Sequence, residues 1–218
     1  MPDVFETGKW LEVGGYDYHC FISWPHTSDT GLTDCAKTLK DKIESELGSV
    51  FPMPRVFLDE EEIRFGIEWK RKISQALCKS VAMVAICAPI YYHPSHSWCG
   101  FEWRGMELLS YQRFPGMNHK AIIPVIWRHV EPTPKAVKEI QWVDFSRVTI
   151  AGRRYYSTQE YRKKVKGVVD RIIEIAQLLA EHRRVAECTA FEIPSDSAFS
   201  DFEAKIKAFP FRHQVASD

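Results

Sequence analysis

The sequence predicts an α/β fold in which a doubly wound parallel sheet of five strands carries helices on both faces. Three observations lead there. Short runs rich in β-branched and aromatic residues alternate with stretches whose apolar residues recur at helical spacing. The run from Val81 to Ala88 holds no polar residue, as expected of a central strand covered on both sides. The order of elements is strand then helix, repeated, which is the pattern of βαβ units and parallel pairing.

Each element has its own warrant. Tyr18 to Trp24 (YHCFISW) reads as the first strand, and the turn-forming stretch PHTSDTG as its exit loop. Leu32, Cys35, Ala36, Leu39, Ile43 and Leu47 mark the first helix, with Asp29 or Thr30 placed to cap it and Gly48 to stop it. Arg55 to Leu58 makes a second strand, DEEEIRFG a loop, and Ile67 to Cys78 the next helix. After the apolar third strand a helix runs from Ser97 to about Gln112. Residues 120–127 (KAIIPVIW) give a fourth strand, in which Pro124 removes a ladder donor, and Trp142 to Phe145 a short fifth. Tyr161, Val165, Val168, Ile172, Ile175, Ala176 and Leu179 form the stripe of a long closing helix. Residues 1–15, ending in Gly14-Gly15, read as a loose leader, and 183–218 as a tail or a linker to a further domain, with a short helix from Asp201 to Ala208.

Composition narrows the function. With 29 basic and 29 acidic side chains among 218 residues, the chain has none of the bulk charge that holds nucleic acid or anionic membranes. Val81 to Ala88, the longest apolar run, is far too short to span a bilayer, and the N-terminal stretch lacks the pattern of a secretion signal. A soluble, cytoplasmic protein is expected. The six cysteines contain no CxxC pair and read as free thiols in a reducing compartment. The eight histidines show no HExxH or other ligand spacing, so no metal is expected.

Open α/β sheets bind ligands beyond the carboxyl ends of their strands. After the first strand come Ser23-Trp24-Pro25-His26-Thr27-Ser28, a hydroxyl-rich loop leading into a helix N-terminus that could receive a phosphate, with no GxGxxG or P-loop and a plain polar loop equally open. After the second, Asp59 to Glu62 cluster four carboxylates, for most of which a solvated loop is the plainer reading. The third place is more informative. At 100° per residue, Trp98, Phe101, Glu102, Gly105, Leu108, Leu109 and Gln112 share a face of the helix after the third strand. Glu102 therefore lies inside an apolar stripe, badly placed for packing and well placed to line a cleft. Glu107 falls on the other side, where a solvated glutamate belongs.

In combination, YDYHCFISW, VFLDEEEIRFG and SHSWCGFEW resemble the strand and loop boxes of the Toll/interleukin-1 receptor (TIR) domain, over about residues 16–182. The form Ser97-Trp98-Cys99 followed by Glu102 is similar to the subset of TIR domains in bacteria, plants and neuronal proteins that cleave NAD. The resemblance implies a flavodoxin-like TIR fold and an NAD+ glycohydrolase that needs no cofactor, NAD+ being its substrate. The catalytic residue would be Glu102, holding the ribose hydroxyls and stabilising the oxocarbenium-like charge. Trp98 or Trp69 would stack on the pyridinium, with a core role equally open for Trp69. Ser23 and Trp24 would line the adenosine or diphosphate side, and Asp59 the pocket floor. Gly66 belongs to the implied BB loop. For Ser23, Trp24 and Asp59 a structural role is as well supported.

The loop departs from the family pattern in reading I-R-F-G for the frequent P-G, and Trp24-Pro25-His26 replaces a common tyrosine followed by basic residues. The resemblance further implies an effector in antiviral defence or cell suicide, self-association through TIR contacts and a sensor domain or partner protein. Two other classes stay in view, a non-catalytic TIR scaffold and a nucleoside deoxyribosyltransferase-like enzyme. A triad hydrolase is disfavoured because no GxSxG elbow is present.

Overall fold

Five strands, β1 (Tyr18–Ser23), β2 (Val56–Leu58), β3 (Ser80–Cys87), β4 (Ile122–Ile126) and β5 (Val143–Asp144), lie parallel in one sheet, in the order β2-β1-β3-β4-β5. The computed structural model describes residues 4–27, 30–59, 67–117, 120–148 and 155–208. All eight residues of β3 are buried, which explains its unbroken apolar run. Pro124 fits because strand alternation aims its missing donor away from β3. The β4 flanks Ala121 and Trp127 bond β3, Ile126 accepts from Phe145 on the other side, and β5 pairs only with Val125 and Ile126.

Helices α1 (Val4–Val13), α2 (Thr30–Leu47) and α6 (Gln159–Glu181) pack together on one face of the sheet; α3 (Ile67–Cys78) and α4 (Ser97–Arg113) pack on the other. A short α5 (Lys135–Lys138) precedes β5, and α7 (Ser200–Ala208) closes the described chain. The apolar stripe of α6 is buried from Tyr161 to Leu179, and Thr158 caps the helix by accepting from the Tyr161 amide. Among the described residues no helix is long and apolar enough to cross a membrane.

The chain leaves β1 toward β2 on one side and returns to β3 on the other. Strand order therefore reverses between β1 and β3, and the sheet opens a crevice beyond their carboxyl ends.

Two described segments depart from expectation. Residues 4–13, expected to be part of a loose leader, form α1, which packs on α6 and buries Leu11 and Thr7. Gly14 and Gly15 form its stop, the Gly14 amide bonding Trp10 O and Gly15 taking φ +78°. Residues 184–204 form a strap across α3 and α4. The Ile193 amide donates to Ser74 Oγ and the Ala198 amide to Gly100 O, while Phe199 is buried. The expected tail helix is present as α7. The strap also corrects the cysteine reading, because Cys188 is disulfide-bonded to Cys78 at the end of α3, across 110 residues of sequence. Only the tertiary path brings that pair together. Cys20, Cys35, Cys87 and Cys99 are free and buried, as expected.

Candidate active site

β1 delivers Ser23 to the crevice at its carboxyl end. β3 passes into two short 3-10 turns, Pro89–Tyr92 and Pro94–His96, each opened by a proline in its first turn. They turn the chain back into α4 and leave Tyr91 fully buried beneath it. On α4 the buried residues include Cys99, Glu102, Trp103, Met106, Leu109, Ser110 and Arg113. That spacing puts Glu102 in the middle of the core face, at 8% exposure. The face is rotated from the one expected: Leu108 and Gln112 are exposed, while Glu107 is buried. Glu107 receives Trp103 Nε1 at 3.3 Å, Arg104 at 3.2 Å and Lys120 at 3.2 Å, so it is a structural carboxylate, not the solvated one expected.

Glu102 has different company. Ser23 Oγ donates to its Oε2 at 2.6 Å and lies 2.8 Å from the Tyr91 hydroxyl. Burial pushes the Glu102 carboxyl up to about 8; the Ser23 hydrogen bond opposes that rise and the negative charge of Asp59 adds to it. The hydroxyl of Tyr91 and the thiol of Cys99 are themselves driven up by burial, so they face the carboxyl as neutral groups.

The other expected residues gather beside this pair. Asp59, buried just beyond β2, accepts Trp69 Nε1 on Oδ2 at 3.0 Å, and its backbone carbonyl accepts Trp24 Nε1 at 3.3 Å. It anchors two indoles, from β1's exit and from α3. Trp69 meets Trp98 edge to face, with ring centroids 4.4 Å apart, and Trp24 stacks on His26 at 4.4 Å. Lys70 Nζ stands 5.6 Å over the Trp98 ring. The structure thus brings together Ser23, Trp24, Asp59, Trp69, Trp98 and Glu102; Gly66 lies outside the described residues. Sequence reasoning missed Tyr91. No periodicity singles it out, and its proximity to Ser23 comes from the 3-10 turn after β3. Among the described residues no group of His, Cys, Asp and Glu is arranged to hold a metal ion.

A parallel doubly wound sheet with one buried, hydroxyl-held carboxylate at its switch point defines an α/β protein of the flavodoxin-like kind. The family model of the TIR domain matches residues 21–155, and the chain belongs to that family. No curated protein and no solved structure matches the chain. The matched stretch begins inside β1 and takes in the candidate site, but it stops short of α6 and the strap.

Proposed function

We propose that this TIR domain is an NAD+ glycohydrolase, cleaving the bond between nicotinamide and ribose to release nicotinamide and ADP-ribose or a cyclic isomer. The observation that carries the reading is the buried Glu102, on the core face of α4 at the β1/β3 switch point and held by Ser23.

The glycosidic nitrogen of NAD+ is already cationic, so the bonding electrons depart with nicotinamide as a neutral molecule and no general acid is required. This differs from ordinary glycoside hydrolysis, where two carboxylates share the work. What remains is the positive charge developing at the anomeric carbon. A preorganised carboxylate in a water-poor site stabilises that charge far better than water does. The raised proton affinity of Glu102 is consistent with this role, because the arriving pyridinium cation favours the ionised form that burial disfavours. Water then attacks the anomeric carbon and releases a proton to solvent, or an adenine nitrogen attacks instead to close a ring. Trp69 or Trp98 supplies an aromatic surface for the pyridinium, Asp59 fixes the Trp69 indole, and Ser23 and Trp24 line the side taken by the adenosine and diphosphate. NAD+ enters as substrate, with no further cofactor. The family resemblance supports reading such an enzyme as an effector of antiviral defence or cell suicide, acting through TIR self-association.

Incubating the protein with NAD+ and identifying products by mass tests the reading. Nicotinamide with an equal amount of ADP-ribose or its cyclic isomer is expected. Glu102→Gln should lower the rate about a hundred- to a thousandfold, a loss of roughly 3 to 4 kcal/mol of transition-state stabilisation. Intact NAD+ at high protein concentration would leave a non-catalytic TIR scaffold as the better description.

A further inference from the structure

We infer that Tyr91 is a positioning residue for Glu102, acting through Ser23, and that Phe199 of the strap holds the Tyr91 ring in place. The inference deepens the proposed NAD+ cleavage and rests on it.

The geometry is a chain of hydroxyls ending on a carboxylate. A serine hydroxyl has one proton to donate, and Ser23 gives it to Glu102 Oε2 at 2.6 Å. With the carboxyl ionised, the 2.8 Å contact between Ser23 Oγ and the Tyr91 hydroxyl then has one polarity: Tyr91 donates and Ser23 accepts. A donor that itself receives a hydrogen bond donates more strongly, so Tyr91 stabilises the charged form of Glu102 without touching it. It also fixes the Ser23 rotamer, and through it the direction of the carboxylate. Among the described residues, the groups facing the Glu102 carboxyl are Ser23 from β1, Asp59 from beyond β2, Tyr91 from the turn after β3 and Cys99 from its own helix. Of these, the Ser23 hydroxyl opposes the effect of burial, and Asp59 reinforces it.

The Tyr91 ring is itself held from an unexpected direction. Phe199, 2% exposed, packs edge-on against Tyr91 at 5.9 Å, Tyr92 at 5.0 Å and Trp103 at 5.2 Å. Tyr92 also meets Phe202 at 5.8 Å. A segment outside the family-matched residues thus closes the aromatic packing beneath the carboxylate.

The test compares Tyr91→Phe and Phe199→Leu with the intact chain, using two readouts. One is the pH profile of nicotinamide release. The other is titration of the Glu102 carboxyl band by infrared difference spectroscopy, assigned by its loss in Glu102→Gln. Tyr91→Phe removes one oxygen from a buried ring. It is expected to stay folded, to lower kcat about five- to twentyfold at pH 7 with little change in KM, and to shift both the carboxyl titration and the profile to higher pH. Much of the rate should return on the alkaline side. Phe199→Leu should shift both readouts in the same direction by a smaller amount.

An unshifted carboxyl titration in Tyr91→Phe overturns the inference. So does a uniform loss of rate at every pH that follows a fall in Tm. If the intact chain cleaves no NAD+, the activity reading fails, while the carboxyl titration still decides whether Tyr91 governs Glu102.

Discussion

Glu102 and Glu107 sit on the same helix with nearly the same exposure, yet their surroundings differ in sign. Glu107 faces Arg104, Lys120 and an indole N–H, whereas Glu102 faces a hydroxyl and a second carboxylate. Glu107→Gln should therefore cost stability, about 1 to 3 kcal/mol, because it removes the charge that Lys120 meets in a largely buried setting. Activity per folded molecule should not change. Thermal melts beside nicotinamide assays read both quantities.

Glu102→Gln should do the reverse, with a pH signature. The Glu102 carboxyl ionises near 8 in the folded chain against 4.5 for an ordinary glutamate. The folded state thus holds its proton more tightly, and the stability tied to that proton is present below about 4.5 and lost as pH rises through about 8. The glutamine variant has no such loss. Its Tm relative to the parent should rise steadily between pH 5 and 8.5, and an offset that stays flat over that range would count against a buried, proton-binding carboxyl. Sequence pattern exposed Glu102 because one carboxylate interrupted an apolar stripe. It misplaced Glu107 because a buried ion pair and a solvated face look alike until Lys120, from the start of the β4 segment, is seen to reach across.

At the scale of elements, the strap is where sequence reading and structure part most. Its apolar residues, Phe191, Ile193 and Phe199, are too irregularly spaced to show either helical or strand periodicity, since they fill holes in an existing surface. Those holes are glycines. A Cβ at Gly100 would stand 2.0 Å from Ser197 Oγ, and one at Gly105 would meet Phe191 and Ile193 at 3.5 and 3.6 Å. Gly100→Ala should therefore pry the strap from the start of α4. Limited proteolysis should then cut between residues 190 and 204 faster than in the parent, and equal cleavage in both would show that the strap is held elsewhere. Phe199→Ala should lower stability by about 3 to 5 kcal/mol by emptying the space between Tyr91, Tyr92 and Trp103. Removing everything after Arg184 should cost more again, since it also deletes the Cys188 bridge. The helices α2 and α6 were legible because each repeats the helical period over several turns, and β1 and β3 because their runs are apolar, aromatic or β-branched. The helix α1 was not, being short and ending in a glycine pair that reads equally as a linker.

For the whole molecule, the all-apolar β3 and the alternation of strand and helix made the parallel sheet legible, and the sheet in turn placed the crevice. What single-chain patterning cannot express is assembly. TIR self-association, expected from the family, should make nicotinamide release rise more than linearly with protein concentration. Specific activity that is flat from dilute to concentrated protein would mean that one chain completes its own site.

The strap also has a direction. It leaves the pole where the Ala186 amide donates to Gly14 O and Cys188 joins Cys78, at the amino ends of the strands. It then runs along α4 from Gly105 to Gly100 and arrives beside Tyr91, at the carboxyl ends. A load applied beyond α7 is consequently delivered to the packing under Glu102, while the covalent bond at Cys78 shields the opposite pole from it. Mechanically, the domain is tethered at the amino ends of its strands and levered at the carboxyl ends, beside Glu102.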